Sequence, residues 1–75
     1  MKKYVEIIAK FEPGGRLMPL EIVWDDGRRF EIDKILEIRK ASSPKVGGAG
    51  IRYKCMIYGQ ERFLFLEDNC RWFVE

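Results

Sequence analysis

Apolar and polar side chains alternate along much of this chain. Leu20, Ile22 and Trp24 fall on one side of an extended backbone, with Glu21 on the other. Phe30 and Ile32 do the same against Arg29, Glu31 and Asp33. A period of two is the signature of a half-buried strand. Turn-forming clusters break the pattern at Glu12-Pro13-Gly14-Gly15, Asp25-Asp26-Gly27, Ser42 to Gly50, Gly59-Gln60 and Glu67-Asp68-Asn69. Between them lie runs rich in Ile, Val, Phe, Tyr and Trp: Tyr4–Phe11, Leu20–Trp24, Arg29–Arg39, Ile51–Tyr58, Arg62–Leu66 and Arg71–Val74. Such side chains suit a pleated surface. The spacing predicts one all-β domain over residues 1–75, a small antiparallel, five- or six-stranded, partly open SH3-like barrel. Tight hairpins are expected at Asp25-Asp26-Gly27, where Gly27 is free to take positive φ, and at Gly59-Gln60.

Residues 32–40 carry a conflict. In Ile32-Asp33-Lys34-Ile35-Leu36-Glu37-Ile38 the apolar positions also fit a helical stripe about 160° wide, which would make the fold α+β with a short helix near 32–40. Including Phe30 widens that stripe to about 240°, too broad for an amphipathic helix. A single long strand instead puts Lys34 on the same face as Phe30, Ile32, Leu36 and Ile38. A strand with a bulge or bend near Lys34 resolves this and is the favoured reading.

Three segments are apolar on both faces: Met56-Ile57-Tyr58, Phe63 to Leu66 and Trp72-Phe73-Val74. A sheet with one wet face should alternate, so the second face needs a cover. Either the N-terminal segment folds across it or another chain does. Tyr58, Leu64 and Phe73 are thus the candidate protein-interface residues, serving a homo-oligomer or another protein partner, with edge-strand pairing as a further contact. The competing reading is that one or two of these side chains are simply exposed. Trp24 and Trp72 are expected in the core.

Size and composition narrow the chemistry. A chain of 75 residues buries about 60–65% of the surface it exposes when unfolded, and its net stability is of the order of 3–5 kcal/mol. Cys55 and Cys70 allow one bridge at most, too few ligands for a structural zinc site. A hydrophobic fraction of 47% with 13% aromatic residues excludes a disordered tail. Met1-Lys2-Lys3 begins as a secretory signal does, but Glu6 interrupts it, and no apolar run exceeds the four residues Phe63–Leu66. Neither a signal core nor a membrane span is expected. The expected compartment is the cytoplasm, where both cysteines would be reduced.

No histidine is present, so the usual general base is missing, no nucleophile has an activating partner, and no enzyme activity is expected. Asp25, Asp26, Glu31 and Asp33 lack the spacing of a calcium loop. Gly47-Gly48-Ala49-Gly50 lacks the Gly-Lys-Ser/Thr of a phosphate loop. No cofactor or metal is expected.

Positive charge does gather around that glycine string. Arg39, Lys40 and Lys45 precede it, and Arg52 follows with Tyr53 beside it. Small barrels bind single strands by stacking bases on aromatics beside a basic groove. These five residues are therefore the alternative, nucleic-acid candidate. Against them stands a net charge of only +2, which favours a solvated rim.

The strings Trp24-Asp25-Asp26-Gly27-Arg28-Arg29-Phe30-Glu31-Ile32, Gly47-Gly48-Ala49-Gly50-Ile51-Arg52-Tyr53 and Trp72-Phe73-Val74-Glu75 resemble a small bacterial protein family of unknown function. The resemblance implies a compact β-barrel-like domain and a bacterial source, and it transfers no activity or site. The expected function is non-catalytic binding.

Overall fold

The computed structural model describes residues 2–41 and 50–75. They form seven antiparallel strands: β1 Lys3–Phe11, β2 Leu17–Val23, β3 Arg29–Glu31, β4 Lys34–Lys40, β5 Gly50–Ile57, β6 Gln60–Glu67 and β7 Trp72–Val74. No helix occurs among the described residues, so the all-β expectation holds, with one strand more than the upper count. The sheet order is β3-β2-β1-β7-β6-β5-β4. Two three-stranded meanders are thus joined through β7, which pairs with β1 on one side and β6 on the other. The two edge strands, β3 and β4, are consecutive in the chain with only Ile32 and Asp33 between them. So short a connection between opposite edges forces the sheet to curl into an open half-barrel.

The contested stretch is extended, with two phase shifts. At Ile32-Asp33 the chain turns from one edge to the other: the Ile32 amide donates to the Leu20 carbonyl and the Asp33 amide to the Met56 carbonyl, each at 2.9 Å. In β4, Ile35 pairs with Cys55 and Glu37 with Lys54, which leaves Leu36 as a bulge. The bend lets Ile35 pack inward beside Lys34, and the bulge restores Ile38 to the same face. A second bulge leaves Leu20 unpaired in β2, next to Pro19. A proline has no amide hydrogen for the ladder and is tolerated where pairing is already irregular.

Three of the hairpin turns share one geometry. Glu12, Trp24 and Glu67 each accept a bond from the residue three positions on, and each donates its amide to the residue four positions on. This is a type I turn closed by a left-handed residue. That residue is Gly15 (φ 88°), Gly27 (φ 89°) and, in the third turn, Cys70 (φ 67°). Nothing crowds a Cβ built on Gly15 or Gly27, so glycine is needed there for its dihedral angle and not for space. The fourth turn is the two-residue pair Tyr58-Gly59 (φ 50° and 72°), one position earlier than the Gly59-Gln60 expected. Two positive φ values make it the hairpin turn whose twist matches the strands.

The core fills the concave side. Tyr53, Cys55 and Leu64 are wholly buried there, packed with Ile22, Ile57, Leu66 and Trp72. The Tyr53 and Trp72 rings lie 5.3 Å apart, and the Tyr53 hydroxyl donates to the Leu17 carbonyl, which satisfies the polar end of a buried ring. Truncating a fully buried leucine costs about 2–5 kcal/mol, as much as a domain this size holds in total. Phe73 points to the opposite, convex face and is also fully buried. Its ring stacks on Phe65 (centroids 4.8 Å, planes 8° apart), meets the edge of Tyr4 at 5.8 Å, and lies under the Lys2 ammonium at 4.8 Å. The N-terminal segment therefore covers this face from within the chain.

Cys70 occupies a backbone position that disfavours any residue with a Cβ. Cys70→Gly should raise stability by up to about 1 kcal/mol, and Gly27→Ala at the equivalent turn should lower it by a similar amount. Urea denaturation of the two variants beside the parent chain checks both signs.

Candidate functional site

At the end of the roll where the β2–β3 and β5–β6 turns meet, the half-barrel opens into a cleft of about 480 Å³. Its floor is Ile22, Phe30, Ile57 and Val74, the last inward-facing residues of their strands. Its walls are the rings of Trp24, Tyr58 and Phe63 with the guanidinium groups of Arg28 and Arg62. Trp24 meets Phe30 edge-on at 6.3 Å, and Phe30 meets Tyr58 the same way at 5.8 Å, so three rings form a continuous chain along it.

Local electrostatics hold the walls in place. The Asp26 carboxylate accepts from the Arg28 amide at 3.0 Å and from its Nε at 2.7 Å. These bonds, the backbone one foremost, pull the Asp26 carboxyl below its ordinary pKa. Arg28 in turn lies 5.5 Å from the Phe30 centroid. Across the turn, Lys3 bonds Asp25 at 2.8 Å and sits 5.0 Å from the Trp24 ring. The acidic pair of this turn is thus engaged with Arg28 of the cleft wall and with Lys3 beside it. Among the described residues no three Asp, Glu, Cys or His side chains are grouped to hold a metal.

Tyr58 is the one candidate interface residue on a free surface, with 72% of its area exposed. Leu64 and Phe73 are fully buried and present no contact surface. Leu64 is on the core side, because it pairs with Tyr53 across β5–β6, and Phe73 lies beneath Tyr4, Phe65 and Lys2. Of the basic candidates, Arg39 and Arg52 are cross-strand partners on the convex face. Glu37 bridges them, at 3.0 Å to Arg39 and 3.3 Å to Arg52. Lys40 ends β4 opposite Ile51, and Lys45 lies outside the described residues. Tyr53 belongs to the core and has no face on which a base could stack.

The cysteines are free: Cys55 is buried and Cys70 exposed. Burial pushes the Cys55 thiol up to about 11, so it stays protonated at neutral pH and is a poor nucleophile. Phe30, Arg28, Arg62, Tyr4 and Phe63 were not singled out by the sequence. Only the strand register, which sets Lys54 against Phe63 and Val23 against Arg29, brings them to their surfaces.

On the convex face, Glu67 receives the Lys2 ammonium at 2.9 Å and the Tyr4 hydroxyl at 3.1 Å. The bond from Lys2 is the main reason that the Glu67 carboxyl sits below its ordinary pKa, and the same bond raises that of Lys2. A depressed carboxylate contributes stability that is present above its unfolded pKa and lost as pH falls through the folded value. A raised lysine contributes stability that is lost as pH rises through its folded value. The parent chain should therefore exceed Glu67→Gln in stability at neutral pH. That difference should vanish once acid protonates Glu67, and urea melts across a pH series read it directly.

The chain matches no protein-family model, no curated protein and no solved structure.

Proposed function

We propose that this domain is a non-catalytic binding module whose cleft receives an extended segment of a partner protein. Tyr58 carries the reading. A turn of its type favours Asn, Asp or Gly, whose backbones accept positive φ readily. Here a tyrosine holds that position at φ 50° while leaving most of its ring in water. The residue is therefore strained and gains little burial in return. Backbone strain of this kind clusters where a side chain serves contact with something else.

The surroundings agree. Tyrosine and tryptophan give large contact area with a polar tip and few rotatable bonds, and they dominate the energetics of interfaces. A volume of about 480 Å³ lies within the range of sites that take a few side chains. Strand β3, which contributes Phe30, is an edge of the sheet and has a neighbour only in β2. Its free backbone groups could add a strand from a partner while the cleft takes alternate side chains.

Tyr58→Asn separates contact from folding. It should leave the domain folded and raise its stability by roughly 0.5–1 kcal/mol through relief of the turn. A library of short displayed peptides selected on the parent chain should yield binders that lose affinity for Tyr58→Asn. Binders that hold both proteins equally, or no binders at all, would contradict the reading.

A further inference from the structure

We propose that the convex face of the sheet is a separate binding surface, for single-stranded nucleic acid. It meets the cleft at Phe63, whose ring lines both, and uses none of the cleft's other residues. The register places Arg39, Arg52, Phe65, Phe73 and Tyr4 in one row across β4, β5, β6, β7 and β1, each opposite the next. With strands about 4.8 Å apart, such a row runs about 19 Å. At its centre Phe65 and Phe73 stack face to face, with Phe73 fully buried and Phe65 partly so. The rings open to solvent are those that flank this pair, Tyr4 and Phe63, with 41% and 40% of their areas exposed.

Cations are interleaved with these rings. Arg52 lies 4.7 Å from the Phe63 centroid and Arg71 lies 3.7 Å from that of Tyr4. A planar guanidinium on a ring keeps its outer plane for a base and its edge for a phosphate. Lys54 is the cross-strand neighbour of Phe63 and pairs with Glu61 at 3.5 Å. Exposed rings between basic side chains on a sheet are what unpaired bases and their phosphates require. The seven strands put no helix into a groove, and the rings can meet only unstacked bases, so duplex is a poor fit. An acidic peptide would answer the charges and leave the rings unused.

The face also contains its own competitor. Glu37 accepts from Arg52 and pairs with Arg39, occupying the guanidinium groups that a phosphate would take. Removing that carboxylate should strengthen binding, a result that a merely structural Arg–Glu–Arg cluster would not give.

Fluorescence anisotropy with labelled oligothymidine and oligouridine tests the proposal, with a melt of each variant to confirm that it folds. Affinity should fall as salt rises, with a log–log slope of about −2 for three phosphate contacts. Phe63→Leu should weaken binding about tenfold through lost stacking. Arg52→Glu should abolish it, and Glu37→Gln should raise it. Duplex of the same length and polyglutamate should compete poorly. The proposal fails if neither oligonucleotide binds at low salt, if Phe63→Leu binds as the parent does, or if polyglutamate competes as well as the oligonucleotide. Tyr58→Asn should bind oligonucleotide normally, so failure here and failure of the peptide-binding cleft are told apart.

Discussion

Strand β7 holds the molecule together with three residues, Trp72, Phe73 and Val74. The chain builds two meanders, β1-β2-β3 and β4-β5-β6, each from neighbouring hairpins, and β7 is the strand through which they hydrogen-bond into one sheet. Because it lies in the middle, both of its faces must be covered. Trp72 faces the core against Tyr53, and Phe73 faces outward beneath Tyr4, Phe65 and Lys2. The absence of alternation in this segment is thus what a central strand needs. Pairing of β1 with β7 joins distant parts of the sequence, so its loop-closure entropy is met only when both meanders exist.

That arrangement decides where contact surfaces can be. The concave side is consumed by the core, except at the end where the β2–β3 and β5–β6 turns leave the cleft open. The convex side is tiled at its centre by the residues that shield Phe73, and cations and rings spread from there toward β4. Both surfaces set guanidinium groups against rings, but the cleft has an apolar floor, whereas the convex face carries its rings and cations on an open sheet.

Much of the fold was legible in the sequence because strand alternation and turn residues report local geometry. The sequence pattern predicts Arg29–Arg39 as one strand with an irregularity near Lys34, and the structure resolves that irregularity into a bend at Ile32-Asp33 and a bulge at Leu36. Alternation alone cannot place two compensating phase shifts. Tyr53 is two residues from both Ile51 and Cys55, so the period of two sets it inside, although the basic residues around it point to the rim. Leu64 likewise shares its phase with Leu66. Phe73 needed a tertiary fact, that β1 returns beside the last strand and brings Tyr4 and Lys2 over it. The cleft was not legible at all, since its walls come from turns far apart in the chain.

Native-state amide hydrogen exchange tests most directly whether β7 joins the two halves. The amides of β7 that bond to β1 and β6 should exchange only through global unfolding, with the same free energy as the amides of Tyr53 and Cys55 in β5. Exchange of the β7 amides at markedly lower free energy, while β5 stays protected, would mean that the strand frays independently and that something else holds the two meanders together.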